Sequence, residues 1–459
     1  MSDIEEHRKK IEEITLEMIK LLKTRTDIAK QIGDAKANLG MTVTDEERED
    51  ALRTQVTKLC KEIDLDQSTA LKFLNLLLNE SVKVQSDGKQ THLSVFLKAK
   101  ALEEEGKKII HLEVGEPDFK PPKEVKTALA EVYDKGYGKY GPARGITELR
   151  NELTKVVGTS VADIENIMIC PGARFGVYLA ITTLLNPGDE IIVIEPAWPA
   201  YKDCALNAGI KVRTIKTTLE TKWEPSVEQI NNAINENTKM IVLNYPNNPT
   251  GKILSDELLA SIIQTAKEHD LYVLSDEIYE DYYMSESFQK EVLDYRYEKS
   301  IVTKSFTKSH AMTGFRIGWV VAEPSIIDKM SKLQALSLTN VSEPIQYVAL
   351  QALKAYDTGT IGENRKIIKS RLDALVKTAK DIGLEFIEPD GAMYLFAKTK
   401  YKDFDATKFS EKLLEYGVAI APGEGFGDYK EFFRITAIDE TRLKEGMIIL
   451  DTILKESYE

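Results

Sequence analysis

Three short polar motifs follow apolar, β-rich runs in the second part of the chain, and their side chains can do chemistry. They are NYPNNPTG (244–251), SDEIY (275–279) and KSFTK (304–308), the last followed by GFRIG (314–318). In open α/β sheets the carboxyl ends of the strands form the crevice that binds ligands. Each motif alone is explained equally well by a turn or a helix cap. Amides, a carboxylate, hydroxyls, lysines and an arginine in this order together predict a small-molecule site.

The elements that position these motifs alternate between short β-rich runs and helical stretches. The runs cover residues 191–194, 240–243, 272–274, 301–303 and 317–321. Strands separated by helices pair in parallel, so this alternation predicts an α/β fold with a mostly parallel sheet covered by helices.

The first part of the chain has a different pattern. Apolar residues recur three, four or seven positions apart from Ile4 to Ile32, which predicts one apolar stripe on a single long helix. A capping box at Thr44 indicates a second helix over about 45–59, and a third begins near Asp66. Three such helices are too thin to bury the stripe, so we expect dimerisation.

Length and charge limit the possible functions. A chain of 459 residues exceeds the roughly 250–300 residues that one core supports, and the polar linker 86–91 predicts domains at 1–88 and 89–459. Subtracting 74 acidic from 61 basic residues gives −13, which argues against a nucleic-acid partner. The N-terminus lacks a signal peptide, and no apolar run is long enough for a membrane span. Three separated cysteines predict neither a metal site nor disulfides, and therefore a cytoplasmic protein.

The order and spacing of the motifs over residues 91–459 resemble the fold-type I, class I/II aminotransferases, in the aspartate, aromatic and prephenate branch. The resemblance implies pyridoxal 5'-phosphate as cofactor and the α/β fold of these transferases. It also implies a large domain at about 135–345. A small α+β domain would combine residues from about 89–134 and 346–459.

The resemblance assigns the cofactor ring to residues of the three motifs. Lys308 would form the Schiff base with the cofactor aldehyde and shuttle the substrate α-proton. Its neighbour Lys304 is interpreted as a surface or edge lysine. Asp276 would pair with the pyridine nitrogen and keep it protonated. Tyr279 and Asn248 would hydrogen-bond the phenolic oxygen of the ring.

The resemblance also implies a phosphate site and a stacking residue. Ser305, Arg316 and the backbone around Ala173 would hold the phosphate at a helix N-terminus, which suits an anion. Trp198 would stack on the cofactor ring, although an ordinary core tryptophan is the alternative. Tyr140, in KYGPARG, would reach the phosphate of the neighbouring subunit.

Three residues are implied for the substrate. Arg434 would grip the α-carboxylate with its guanidinium fork, and Gly115 would let the backbone approach the same carboxylate. Arg174 would meet a distal carboxylate, which suggests a dicarboxylic substrate. The alternatives are a solvated β-edge arginine at Arg434 and, at Arg174, an arginine merely near the phosphate.

The helical segment resembles the all-helical (AroQ-type) chorismate mutases over residues 1–86. The charged residues Arg25, Lys36 and Arg48 lie on the stripe side or at helix ends. Burying a charge there costs free energy unless the charge is paired, for example with a ligand. By the resemblance Arg25 and Arg48, with Arg8 of the partner subunit, would bind the two carboxylates of chorismate. Lys36 and Gln85 would donate to the breaking ether oxygen.

Three further residues, Asp45, Glu49 and Ser81, would contact the hydroxyl region of chorismate. The rearrangement to prephenate needs no nucleophile, only orientation and preorganised charge. An alternative is a silent domain that dimerises or binds a regulator. The intact set of polar residues argues against it.

The two resemblances together predict a bifunctional, homodimeric or higher homo-oligomeric enzyme of aromatic amino-acid biosynthesis. It would isomerise chorismate to prephenate, then transaminate prephenate, or another aromatic or dicarboxylic keto acid, with glutamate or aspartate. The alternative is a general aspartate or aromatic aminotransferase with a silent N-terminal module.

Overall fold

The computed structural model describes residues 2–38, 46–85, 92–157, 163–284 and 290–458. The chain divides into two compact units. The helical unit comprises residues 1–89 with 206–211, and the α/β unit comprises residues 90–205 with 212–459. The predicted limits of the domains within the α/β unit stay a prediction.

Three helices form the helical unit, as the apolar spacing predicts: α1 (Ser2–Asn38), α2 (Glu46–Ile63) and α3 (Gln67–Gln85). Helix α3 packs against both α1 and α2. The predicted capping box at Thr44 and the predicted site residue Asp45 lie outside the described residues.

The core of the helical unit is small. Among its described residues, the buried apolar ones are Ala29, Cys60, Leu71, Leu74 and Ile210. By contrast, the apolar stripe of α1 is 43 to 65% exposed at its larger side chains, Ile4, Ile11, Ile14, Met18, Leu21, Ile28 and Ile32. In a single copy of the chain, this stripe is therefore exposed to water. That exposure is unfavourable in free energy, and a second apolar surface packed on the stripe would relieve it.

The described residues of the α/β unit form thirteen strands. In chain order they are β1 (Ile110–His111), β2 (Ile167–Cys170), β3 (Glu190–Glu195), β4 (Lys211–Lys216), β5 (Thr238–Leu243), β6 (Tyr272–Asp276), β7 (Ser300–Ser305), β8 (Gly318–Ala322), β9 (Glu385–Phe386), β10 (Tyr394–Lys398), β11 (Val418–Ala419), β12 (Ala421–Pro422) and β13 (Phe432–Thr436).

A seven-stranded sheet in the order β2-β8-β7-β6-β5-β3-β4 forms the centre of this unit. Strands β3, β5, β6 and β7 pair in parallel, and β8 is antiparallel to both β7 and β2. The predicted mostly parallel sheet is therefore confirmed. Strands such as β3 are buried along their whole length, as expected where helices cover both faces of a sheet.

The helices of the α/β unit are α4 (His92–Glu104), α5 (Lys123–Asp134), α6 (Thr147–Val157), α7 (Ala173–Leu184), α8 (Ala200–Asn207), α9 (Val227–Ala233), α10 (Asp256–Glu268), α11 (Pro324–Leu338), α12 (Glu343–Ala352), α13 (Lys354–Asp357), α14 (Thr360–Asp381), α15 (Ala406–Glu415) and α16 (Glu440–Tyr458). Among the described helices, none combines the length and apolarity needed to cross a membrane.

A second, antiparallel sheet in the order β12-β13-β10-β9 packs with α14, α15 and α16 around its own apolar core. Strand β1 pairs in parallel with β11. This pairing carries the segment after β1 to the second sheet, where the amide of Thr436 donates to the carbonyl of Leu112 at 2.8 Å.

Candidate active sites

The carboxyl ends of the neighbouring strands β5, β6 and β7 open into a cavity of about 620 Å³. Most of the residues predicted for the cofactor and its substrate line this cavity, namely Gly115, Ala173, Arg174, Trp198, Asn248, Asp276, Tyr279, Lys308, Arg316 and Arg434. The motifs meet there because parallel neighbouring strands end at the same edge of the sheet.

Asp276 ends β6 and is 3% exposed. The hydroxyl of Tyr201 donates to its Oδ2 at 2.7 Å, and Thr303 Oγ1 donates to its Oδ1 at 3.3 Å. Burial raises the pKa of Asp276 to about 6. A buried carboxylate of this kind favours a cationic partner, such as a protonated ring nitrogen.

Lys308 is half-buried and points its amine at the Gly115 carbonyl, to which Nζ donates. The same amine lies 5.8 Å from the centre of the Tyr279 ring. The hydroxyl of Tyr282 donates to the Lys308 carbonyl at 2.6 Å, which fixes the backbone. The amine therefore lies between the predicted ring-binding and carboxylate-binding residues.

The interpretation of Lys304 as a surface or edge lysine is wrong. Its side chain is 3% exposed and pairs with Glu280, with Glu291 at 3.0 Å and with Glu277 at 3.6 Å. Although burial lowers the pKa of Lys304, these carboxylates outweigh it and raise the pKa well above its ordinary value. The cause is the position of β7 inside the sheet, between β6 and β8. A lysine held charged in this way is a poor nucleophile, which is consistent with the prediction that Lys308 is the reactive lysine of the motif.

The start of α7 forms an anion cradle. Gly172 caps this helix at a φ of 82°, and a Cβ there would lie 2.8 Å from Nη2 of Arg316. A Cβ at Gly318 would lie 3.0 Å from the amide nitrogen of Ala173 and 3.1 Å from Cβ of Ser305. These close approaches bring the Ser305 hydroxyl and the Arg316 guanidinium to the N-terminal, positive end of the dipole of α7.

Ser305 does not line the cavity surface itself but lies just beneath it. Its hydroxyl donates to the Ile317 carbonyl at 2.8 Å and is 2.5 Å from Oγ1 of Thr307, which does line the cavity. Thr307 was not predicted to line the cavity, although it lies in the KSFTK motif and carries a hydroxyl that can donate to an anion.

Tyr140 is 89% exposed, and it is not among the residues that line the cavity. The loop before it is ordered by Glu343, whose Oε2 accepts the amides of Gly138 and Lys139 at 2.8 Å each. These two hydrogen bonds lower the pKa of Glu343. The predicted contact of Tyr140 with a neighbouring subunit stays a prediction.

Arg434 is 3% exposed and therefore is not a solvated edge arginine. Nη1 donates to Oδ1 of Asn248 at 2.8 Å, and Nη2 donates to the Glu113 carbonyl. The guanidinium carbon lies 4.3 Å from the Tyr394 ring centre and 5.0 Å from that of Phe426.

No carboxylate among the described residues forms an ion pair with Arg434, and its Nε has no hydrogen-bond partner there. A buried charge without a counter-charge is costly, because the desolvation of the ion is not offset. An anion that enters the cavity would therefore supply the missing counter-charge of Arg434.

Gly115 and Tyr394 form the wall beside this guanidinium. A Cβ on Gly115 would overlap the Tyr394 hydroxyl, which is 2.6 Å from that of Tyr279. Burial raises the pKa of Tyr279 well above its ordinary value. Tyr394 and Tyr201 were both missed by the sequence analysis. Tyr201 ends the PAWPAY motif, but nothing near Tyr394 marks it in the sequence.

Trp198 forms another wall of the cavity. It is half-buried, so it is not an ordinary core tryptophan, and the guanidinium carbon of Arg174 lies 4.6 Å from its ring centre. Arg174 itself is exposed. Its side chain thus covers an aromatic face at the cavity and leaves its charge in contact with solvent.

The helical unit brings two of its predicted residues together. Nη1 of Arg25 on α1 donates to the Leu77 carbonyl and to Oγ of Ser81 on α3, at 2.6 Å each. Burial lowers the pKa of Arg25. Gln85 lies half-buried at the end of α3, where a Cβ on Gly33 would lie 2.9 Å from its Cα.

The other predicted residues of this unit are less enclosed. Lys36 and Glu49 are half-buried, and Arg48 is exposed. Arg8 is exposed, and its Nη1 lies 3.5 Å from Oε2 of Glu5 on the same helix. Arg25 follows Arg8 by 17 positions, which correspond to about 25 Å along α1, so the two cannot share one site within one chain.

Relatives of known sequence cover most of the chain. The aspartate aminotransferase of Pyrococcus horikoshii is 36% identical over 356 residues, which are 76% of this chain and 91% of that protein. The aspartate/prephenate aminotransferase of Thermus thermophilus is 33% identical over 376 residues, 80% of this chain and 96% of that protein. A solved structure of Thermus thermophilus aspartate aminotransferase with maleate has a TM-score of 0.76 at 31% identity, and the match covers 81% of this chain and 98% of that one.

The residues around the cavity fit pyridoxal 5'-phosphate. The cradle at Gly172 offers helix amides and the Arg316 guanidinium for a phosphate, and the buried carboxylate of Asp276 suits a protonated pyridine nitrogen. Lys308 offers a primary amine for the aldehyde. Each functional group of the cofactor thus has a chemically matched partner in the cavity.

Family models match both parts of the sequence. Residues 107–448 match the family described as aminotransferase class I and II, and residues 7–86 match the family described as chorismate mutase type II. The chain therefore belongs to the pyridoxal-phosphate-dependent class I and II aminotransferases and carries a type II chorismate mutase domain at its N-terminal end.

Proposed function

We propose that the chain isomerises chorismate to prephenate in the helical unit and transaminates prephenate in the α/β unit, with glutamate or aspartate as amino donor. The observation that carries this proposal is the pair of guanidinium groups in one cavity. Arg434 is buried without a carboxylate partner among the described residues, and Arg174 is exposed beside Trp198. Two such groups suit a substrate with two carboxylates, and prephenate has two.

In the α/β unit, bound pyridoxal phosphate supplies an aldehyde that carries the amino group and a ring that takes up electrons. Lys308 Nζ removes and returns the α-proton of the substrate. Its position at the Gly115 carbonyl supports this role, because Gly115 adjoins the residues that hold the α-carboxylate. Asp276 holds the ring nitrogen protonated, with Tyr201 orienting its carboxylate.

The phosphate and the phenolic oxygen of the cofactor have separate partners. Ser305, Arg316 and the amide of Ala173 hold the phosphate, and the closeness of all three to the start of α7 supports this assignment. Tyr279 and Asn248 hydrogen-bond the phenolic oxygen. Both line the cavity beside Lys308, and Tyr279 is held by Tyr394.

The substrate is oriented by its carboxylates. Arg434 forms a bidentate pair with the α-carboxylate, and its hydrogen bonds to Asn248 and Glu113 hold the fork in place. Arg174 pairs with the second carboxylate. Aspartate and prephenate appear in the names of the Thermus thermophilus relative, and maleate, bound in the solved structure, is also a dicarboxylate.

In the helical unit, Arg25, Arg48 and Arg8 of the partner subunit bind the two carboxylates of chorismate. Lys36 and Gln85 donate to the ether oxygen, and Asp45, Glu49 and Ser81 contact the hydroxyl region. The hydrogen bond between Arg25 and Ser81 supports a shared site across α1 and α3. The rate enhancement comes from holding a compact conformer and from stabilising charge on the ether oxygen.

A homodimer meets the needs of both units. The exposed stripe of α1 requires an apolar partner surface, and the separation of about 25 Å between Arg8 and Arg25 requires a second α1 to complete the mutase site. The exposed Tyr140 would reach the cofactor phosphate of the other α/β unit.

Steady-state kinetics of the purified protein tests the proposal. The wild type should convert chorismate to prephenate and transaminate prephenate, oxaloacetate and phenylpyruvate with glutamate. Arg174→Ala should lower kcat/KM for prephenate and oxaloacetate by about tenfold or more, the value of a charged hydrogen bond, and leave phenylpyruvate unchanged. Equal losses on all three acids would contradict the role of Arg174, and absence of prephenate turnover would contradict the proposed function.

A further inference from the structure

Phe96 on α4 forms an aromatic wall of the aminotransferase cavity. The helix is anchored by Val95 and Ala99, which are buried against Leu414 and Ala419. Phe96 itself is half-buried, and its ring faces the cavity. The helix thus presents one aromatic side chain to the space where a substrate would lie.

This wall stands close to the group that grips the α-carboxylate. The Phe96 ring centre lies 6.2 Å from that of His111, and His111 Nδ1 lies 2.8 Å from Oε1 of Glu113. The backbone carbonyl of Glu113 accepts from Nη2 of Arg434. Phe96 is therefore connected to Arg434 through two side chains and one carbonyl.

The position of the Phe96 ring is also fixed from its own helix. His111 Nε2 lies 3.2 Å from Oε1 of Glu103, which ties α4 to β1. The ammonium of Lys100 lies 5.7 Å from the Phe96 ring centre. The contacts with His111 and Lys100 restrict the ring, so it loses less freedom than a fully solvated ring when a substrate packs on it.

We propose that Phe96 is a specificity-determining residue that packs against the ring of a ring-bearing keto acid while Arg434 holds the α-carboxylate. This inference rests on the proposed function and adds the chemical class of the preferred substrate. An open-chain dicarboxylate such as oxaloacetate has no apolar surface to place on Phe96. A cyclic side chain covers the ring and removes apolar area from water.

Two variants of Phe96 and one matched control test this inference. Phe96→Ala removes the ring, and Phe96→Leu keeps apolar volume without aromatic character. Leu97→Ala truncates the neighbouring exposed side chain on the same helix and controls for a general effect on α4. Each protein is loaded with cofactor and assayed with prephenate, phenylpyruvate and oxaloacetate.

We expect Phe96→Ala to lower kcat/KM for prephenate and phenylpyruvate by about tenfold and Phe96→Leu by about threefold, the range of one aromatic contact. Oxaloacetate turnover and the Leu97→Ala protein should be unchanged. Calorimetry gives a second readout without turnover. The Kd of 3-phenylpropanoate should rise by the same factor in Phe96→Ala, whereas the Kd of maleate should not change.

The outcomes separate the two proposals. Equal losses on ring-bearing and open-chain acids, or no loss on either, would overturn the role of Phe96 and leave prephenate transamination standing. A wild type that is inactive on prephenate, but whose phenylpyruvate turnover depends on Phe96, would overturn the proposed function and leave this inference standing. A wild type inactive on both ring-bearing acids would overturn both.

Discussion

The α/β unit fully buries two charged groups of its predicted site, whereas none of the described charged groups of the predicted site in the helical unit is fully buried. Asp276 and Arg434 are buried in the α/β unit and held by hydrogen bonds from its own residues. In the helical unit, Arg8 and Arg48 are exposed, and Arg25 on α1 is hydrogen-bonded to α3. The difference follows from the number of packed layers. A sheet covered by helices on both faces buries residues fully, whereas three helices of one chain do not form enough layers to do so.

Of the two predicted sites, we expect the one in the helical unit to depend on a second copy of the chain. The α/β cavity brings its predicted residues together within one chain, apart from Tyr140. Three of the predicted mutase residues, Arg8, Arg25 and Lys36, are spread along α1, and the apolar stripe of this helix is exposed. We expect the two activities to respond differently to the same kinds of change.

The largest expected effect comes from Lys308→Ala. Transamination should fall by about 10⁴-fold or more, since one amine acts as nucleophile and as proton carrier, and the mutase rate should not change. Both rates are measured on one preparation. Lys369→Ala, which removes an exposed ion pair with Asp373, is the matched control and should leave both rates intact. A folded Lys308→Ala protein that loses both rates would contradict two separate sites.

A negative charge placed on the apolar stripe of α1 should lower the mutase activity and leave transamination unchanged. Ile14 is 61% exposed in one chain, so Ile14→Glu should not disturb an isolated helical unit. If a second copy covers the stripe, the buried carboxylate costs several kcal/mol, and mutase activity should fall at least about 100-fold while transamination persists. Glu12→Ala, on the same helix, serves as control. Full mutase activity in Ile14→Glu would show that the stripe is not an interface.

Arg25→Ala tests the enclosed part of the mutase site. Loss of one preorganised cationic donor should lower kcat/KM for chorismate by about 10²–10³-fold. Arg25→Lys should restore part of the loss, because it keeps the charge without the fork. Prephenate transamination is the internal reference. A mutase rate that does not respond to Arg25→Ala would favour a silent helical unit.

The smallest expected effect concerns stability, through Asp276. Burial raises its pKa to about 6, so the folded, cofactor-free protein binds a proton more tightly than the unfolded chain. Stability is therefore highest below the unfolded pKa and falls as pH rises towards 6, by at most about 3 kcal/mol. Asp276→Asn lacks this charge and should be more stable than the wild type at pH 8 by up to that amount, but not at pH 4. Denaturant unfolding of both cofactor-free proteins at the two pH values measures the difference. A gain of the same size at both would contradict the assigned cause.

Much of the α/β site could be predicted because short motifs have a fixed relation to strand ends. Asp276 is the last residue of β6, and Lys308 lies three residues after the end of β7. These two strands pair side by side, so the meeting of the two residues follows from the alternation of strands and helices. The long α1 could be predicted for a similar reason, since its apolar spacing is local. Local patterns do not show how deeply a strand is buried, and this is why Lys304 was misplaced.

The sequence by itself determined the two chemistries, through motifs whose spacing is local and whose strand or helix type is set by neighbouring residues. Only the tertiary structure decided which distant residues complete the sites. Tyr201, Tyr394 and Phe96 reach one cavity from a helix, a strand of the second sheet and the first helix of the α/β unit. The physical reason is that contact between distant segments depends on how sheets and helices pack. Such packing also buries the charge of Arg434, which pairs with no carboxylate in the part of the chain that the structure describes.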